Sequence, residues 1–198
     1  VQYRPKIYLA GPDVFLPHAL ELGARKKAAC AARGLIGLFL FDNELPDSGS
    51  DPVDRLIYAA NRQMMQEADA GLFNLTPFRG PSADPGTVFE LGLMSGLGKK
   101  LFGYTNSASD MAARVEKATR GPDGILRDGQ GYLVEEYGNA DNLMIEACLA
   151  QQDNCLLRHD GGGRLDAFEG FEACLDIAAA RLLGTLPHQP HHQARALG

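Results

Sequence analysis

A chain of 198 residues is long enough to bury the core of one ordinary domain, and a hydrophobic content of 45% argues against disorder. The formal net charge of −6 leaves no basic face for a nucleic-acid polymer and favours a small partner instead. No window approaches the ~20 apolar residues of a bilayer span, and Arg4 and Lys6 lead into a strand-like run rather than a leader, so a cytoplasmic protein with no membrane partner is expected.

The run KIYLA at 6–10 reads as a buried strand closed by Gly11-Pro12. Residues 17–33 read as a helix, with Pro17 near its start and Gly34 just past its end. LIGLFLF at 35–41 is the second strand, followed by the loop DNELPDSGS. Ser50 or Asp51 is placed to cap a second helix that carries Pro52 in its first turn and runs to about Ala68. AGLFNL at 70–75 is the third strand, and a loop rich in Gly, Pro and Ser then leads into a helix over 85–98.

KLFGYT at 100–105 is the fourth strand. Residues 107–118 read as a short helix, and 119–138 as an irregular insertion with Gly121, Gly124, Gly129, Gly131 and Gly138. A helix over 141–152, a fifth strand over 154–158 and a long helix over 165–183 complete the domain, 1–184, and a mobile tail is expected over 185–198. Strands alternating with helices imply a five-stranded parallel sheet covered on both faces. Ligands in such sheets bind beyond the carboxyl ends of the strands, where Gly11 to Phe15, Asp42 to Glu44 and the loop 76–86 all fall.

Cys30, Cys148, Cys155 and Cys174 form no CxxC pair and have no His at metal spacing, so they read as small buried hydrophobes, with no metal site. His188, His191 and His192 in the tail carry little functional weight. The chain lacks GxGxxG and GxxxxGK, which leaves a dinucleotide or P-loop site unsupported. Gly80 and Gly86 offer a phosphate cradle at a helix start, but Asp84 puts a negative charge where the phosphate would sit.

The chemically suggestive stretch is DPGTVFELG. Asp84 suits the N-cap and Pro85 the first helical position. Glu90 then lies near the positive end of the helix dipole, a field that favours its ionised form by about 0.3–1 kcal/mol. A carboxylate on a rigid helix that faces a pocket suits attack on an electrophilic carbon. On position alone, a plain cap and a solvated charge remain the alternative. Gly92 and Gly96, four apart, suggest close packing of that helix, and Asp69 a structural hydrogen bond.

KIYLAGPDVF, NLTPFRGPSADPGTVFELG and DNLMI, in that order, resemble the nucleoside 2-deoxyribosyltransferase family across roughly 6–158. The resemblance implies a single-domain, flavodoxin-like (Rossmann-like) three-layer sandwich. It implies exchange of the base of a 2′-deoxyribonucleoside with retention, through a deoxyribosyl ester on Glu90, with hydrolysis as a side reaction and no cofactor. Tyr8 would orient Glu90, and Asp84 would contact the substrate in the pocket. Asn142, accompanied by Met144, would be lent by a neighbouring subunit to the sugar 5′-hydroxyl, which makes the protein a homo-oligomer of two or more chains. Phe15, Glu44, Asn61 and Gly86 would line the substrate pocket; Asn61 and Glu44 stand where other members carry Asp and Gln. Two alternatives remain: a 2′-deoxynucleoside 5′-monophosphate N-glycosidase of the same superfamily, and a non-catalytic nucleoside-binding module.

Overall fold

The structure, a computed structural model, describes residues 3–42, 52–152 and 156–184. Glu44, the cap candidates Ser50 and Asp51, Cys155 and the tail 185–198 lie outside the described residues. In chain order the elements are β1 (Lys6–Ala10), a 3-10 turn (Pro12–Phe15), α1 (Ala19–Ala32), β2 (Ile36–Phe39), a second 3-10 turn (Leu40–Asp42), α2 (Val53–Glu67), β3 (Ala70–Asn74) and α3 (Pro85–Gly96). They continue as β4 (Lys100–Thr105), α4 (Met111–Arg114), β5 (Thr119–Arg120), β6 (Leu126–Arg127), α5 (Leu143–Ala150), β7 (Leu157–Arg158) and α6 (Phe168–Leu182).

Five of these strands form one parallel sheet in the order β2-β1-β3-β4-β7. The order reverses between β1 and β3, the switch point of a flavodoxin-like sheet, so the crevice beyond those two strands is where a ligand is accommodated. Alternation along each strand divides the core into two layers. Ile7, Leu9, Leu72 and Phe102 face α1 and α6, where they pack with Leu22, Phe171 and Leu175. Tyr8, Ala10, Phe73 and Leu101 face the other way and pack with Met65, Leu91, Met94 and Leu149 of α2, α3 and α5. The result is the three-layer sandwich, with Cys30 and Cys174 buried in the first layer. Burial raises the Cys30 thiol to about 11.

Several boundaries differ from the sequence expectations, each for a local reason. The first helix starts at Ala19 rather than 17, because the preceding segment closes the 3-10 turn at Phe15 and Leu16 is extended. The second strand stops at Phe39, where the backbone N–H donates to Asp42 Oδ2 at 2.9 Å and turns the chain. The helix expected over 107–118 contracts to the four residues of α4. The insertion beyond it is not irregular throughout: β5 and β6 pair antiparallel, and Arg127 reaches Asp123 at 2.8 Å across the turn. α6 starts at Phe168, after a turn in which Gly162 and Gly163 take positive φ.

Gly92 and Gly96 are exposed, and an added methyl at either would touch nothing in this chain, so the expectation of close packing there is not met. Asp69 does hold structure: Oδ2 accepts from Tyr3 Oη at 2.6 Å and Lys6 N at 2.7 Å, fastening the chain start to the head of β3.

One buried ion pair stands beside the crevice. Asp13 in the turn after β1 and Lys26 on α1 are 0% and 3% exposed and are directly bonded, with the Tyr104 hydroxyl 3.4 Å from the ammonium. Asn74 Nδ2 approaches the other Asp13 oxygen at 3.4 Å. Gly11 permits this arrangement, since a methyl there would lie 2.4 Å from Asp13 Oδ1 and 2.5 Å from Asn74 Cβ. Removing one member of a buried pair strands the other charge without a counter-ion. Lys26→Met is therefore expected to destabilise the fold by about 3–5 kcal/mol, measured as a lowered midpoint in urea unfolding.

Candidate active site

Tyr8 is the residue of β1 that points toward α3 near the carboxyl end of the sheet. Its ring is buried in the second core layer, and its hydroxyl donates to Glu90 Oε1 at 2.6 Å. Glu90 rides on α3, which is anchored by buried Thr87, Leu91 and Met94 and starts at Asp84. Asp84 is extended, and its Oδ2 accepts from Thr87 N at 2.9 Å and Thr87 Oγ1 at 3.1 Å. The cap and the first-position Pro85 are as the sequence implies. Gly86 is exposed beside them, and a methyl there would lie 3.0 Å from Asp84 Oδ2, so glycine leaves the carboxylate room.

The electrostatics differ from the dipole argument. Burial pushes the Glu90 carboxyl up from 4.5 to about 7; the Tyr8 hydrogen bond opposes that rise, and the negative charge of Asp84 adds to it. Desolvation thus outweighs the helix field, which is worth only a fraction of a kcal/mol to about 1 kcal/mol. The Tyr8 phenol is pushed far above its ordinary value by burial, then by the charge of Glu90 and their shared hydrogen bond. Tyr8 keeps its proton and serves as a fixed donor to Glu90.

Across the switch point, Phe15 from the turn after β1 is 57% exposed and stacks on Phe78 from the loop after β3, with ring centres 5.4 Å apart and planes 3° apart. The Arg79 guanidinium covers both rings, 4.6 Å from the centre of Phe78 and 5.3 Å from that of Phe15. Arg79 also takes a left-handed φ of 57°, a conformation that costs a non-glycine residue energy and concentrates at functional sites. Sequence reasoning singled out Phe15 but neither Phe78 nor Arg79. The signal was available in PFRG, an aromatic and a cation at the end of a buried strand.

The structure brings Tyr8, Glu90, Asp84 and Gly86 together. Asn61 is half-buried on α2. Asn142 caps its own helix: Oδ1 accepts from Met144 N at 2.9 Å, and Nδ2 donates to Glu135 Oε1 at 3.0 Å. Met144 beside it is 70% exposed. A cavity of about 350 Å³ lies between α4 and the β5–β6 hairpin; neither Tyr8, Asp84, Gly86 nor Glu90 lines it, and its Glu135 is the partner of Asn142. Its acids already have partners, Asp110 with Arg158, Glu136 with Arg120 and Glu135 with Asn142. Among the described residues no helix is long and apolar enough to cross a membrane.

The family profile described as Nucleoside 2-deoxyribosyltransferase matches residues 7–144. A Schizosaccharomyces pombe protein, "Uncharacterized protein C191.05c", is 32% identical, with 90% of each chain covered. Among solved structures, a 2-desoxiribosyltransferase from Leishmania mexicana superposes with a TM-score of 0.64 at 27% identity, over 88% of this chain and 97% of the other. A conserved protein from Enterococcus faecalis V583 shares the fold, with a TM-score of 0.50 at 18% identity over 89% and 99% of the two chains.

The Glu90 environment has a consequence for stability. A carboxyl whose folded value of about 7 exceeds its ordinary 4.5 binds its proton more tightly in the folded state. Its contribution is therefore complete below about 4.5 and is lost as pH rises through about 7. Glu90→Gln mimics the protonated form, so it is expected to raise Tm by on the order of 5–10 °C at alkaline pH and to leave Tm unchanged in mild acid, as read by calorimetry at both pH values.

Proposed function

The chain belongs to the nucleoside 2-deoxyribosyltransferase family, and from that premise we propose that it exchanges the base of 2′-deoxyribonucleosides through a covalent deoxyribosyl ester on Glu90. The observation that carries this reading is the 2.6 Å hydrogen bond from the buried Tyr8 hydroxyl to Glu90 Oε1. It fixes one carboxylate oxygen and leaves the other to act as nucleophile at the switch point of the sheet.

In the first step the free oxygen of Glu90 attacks C1′ from the face opposite the base. The C1′–N bond breaks, its electron pair leaves with the base, and the base is protonated as it departs. The transition state resembles an oxocarbenium ion, which the nearby carboxylate stabilises. In the second step a ring nitrogen of an acceptor base attacks C1′ and gives up its proton to solvent, the ester C–O bond breaks and Glu90 returns as carboxylate. Two inversions give retention, and ping-pong kinetics follow. Water in place of the acceptor gives hydrolysis, so the pocket must be filled by the base for transfer to dominate.

The remaining residues take supporting roles. Phe15, stacked on Phe78, offers an aromatic face to a base. Asp84 has one oxygen committed to the helix cap and the other available to substrate. Its charge repels phosphate and favours unphosphorylated nucleosides over 5′-monophosphates. Asn61 and Gly86 line the base side, and Glu44 is assigned there from the sequence alone. Asn142 and the exposed Met144 are assigned to the sugar 5′-hydroxyl of a neighbouring subunit, which makes the working unit at least a dimer.

Deoxyadenosine supplied with cytosine is expected to yield deoxycytidine, while the deoxyadenosine 5′-monophosphate releases base more slowly. Glu90→Gln is expected to lower exchange by about 10³-fold or more, and intact-mass analysis of trapped parent protein should place the deoxyribosyl adduct on residue 90. Full exchange by the variant would remove the nucleophile assignment; faster base release from the monophosphate would favour the N-glycosidase.

The nucleophile must be ionised. With the Glu90 carboxyl at about 7, kcat/KM is expected to rise with pH through that value and level off above it. A profile flat from pH 5 to 9 would contradict this assignment.

A further inference from the structure

The loop that ends in Asp84 is held from outside by two charged side chains to which the proposed chemistry gives no role. Asp141 precedes α5 and is 1% exposed. Its carboxylate accepts from Ser82 Oγ, from Ala83 N at 2.9 Å and from Asn142 N at 2.8 Å. Arg114, on α4, donates from Nε to Pro81 O at 2.8 Å and from its terminal nitrogens to the carbonyls of Ser109 and Ala140. Pro81, Ser82 and Ala83 are thus gripped in succession, and the next residue is Asp84.

The same loop is also held at its start by the Phe78–Phe15 stack and at its end by Ala83, which packs in the second core layer. Between them Phe78 N donates to Ser82 O at 3.0 Å, and a methyl added at Gly80 would meet nothing, so 81–83 depend on these polar grips for their exact place. Asp84 in turn sets the start of α3 and lies close enough to Glu90 for its charge to be felt there. A shift of Ala83 therefore moves both the cap and the charge beside the nucleophile.

We propose that Asp141, aided by Arg114, is a positioning residue of the base-exchange site: it locks 81–83 so that Asp84 closes the pocket wall against water. This inference rests on the exchange reading above. It ties the wall of one site to the head of α5, because the residue after Asp141 is the cap Asn142.

The test is Asp141→Asn with Ser82→Ala beside it, each assayed for base exchange and for hydrolysis of the same deoxynucleoside. Asparagine keeps one acceptor and puts an amide donor where the second oxygen accepted, so either Ala83 N loses its acceptor, or Asn142 N does while the Ser82 hydroxyl must turn to accept. The expected result is a fall in kcat for exchange of about tenfold or more, with a smaller change in KM. The fraction of turnovers ending in hydrolysis should rise several-fold. Ser82→Ala, which deletes one half-buried hydroxyl, should move the same two quantities less far. Parent-like partition between exchange and hydrolysis in both variants overturns the inference, even if kcat falls, because that pattern reports only lost active protein. Should Asp141→Asn not fold, the Ser82→Ala partition decides alone by the same criterion. A parent protein that exchanges no base overturns the functional reading and this inference together; a parent that exchanges while the variants match it overturns the inference alone.

Discussion

A carboxylate that is to react must be kept from water and yet be held still, and those two demands conflict. Water would solvate the charge of Glu90 but would also fill the space a substrate needs. The structure resolves this with one buried donor. The Tyr8 hydroxyl reaches across from the sheet to the helix at 2.6 Å, out of the apolar layer that buries its ring. The unsatisfied remainder appears as the raised proton affinity of Glu90. In the proposed reaction that loss of stability serves reactivity, a trade common at functional sites.

The sheet explains why the donor comes from residue 8. Only alternate positions of β1 face α3, and the strand lies at the reversal of order, flanked by β2 and β3. Beyond its end the chain must turn at once, and the bonded Asp13–Lys26 pair fixes that turn. Phe15 then projects over the crevice toward Phe78, which leaves β3 on the other side. Glu90, its donor and the aromatic pair therefore come from segments that share one end of two adjacent strands.

Much of this was legible in the residues. The alternation of strands and helices gave the parallel sheet, and DPG before an apolar helix gave the Asp84 cap and the position of Glu90. What was not legible depends on contacts distant in sequence. Asp42 ends β2 early through a bond to Phe39 that strand propensity does not register. The roles of Lys26 and Asp141 as buried charges arise only when α1 meets the first turn and the head of α5 meets the loop before α3. Gly92 and Gly96 mislead for the opposite reason: their spacing suggests a packed seam, but this chain places nothing against them. The rise of Glu90 was hidden because burial is a property of the fold, whereas the helix dipole can be inferred from the sequence.

The double service of Asp84 has an evolutionary reach. Serine begins helices about as well as aspartate does, since either side chain can accept from the third-residue N–H. A single substitution at this position can therefore strip the negative charge from the crevice and leave the helix start intact. Under the proposed function, the appetite of the site for neutral or anionic compounds is then free to drift in a lineage without the scaffold having to be rebuilt.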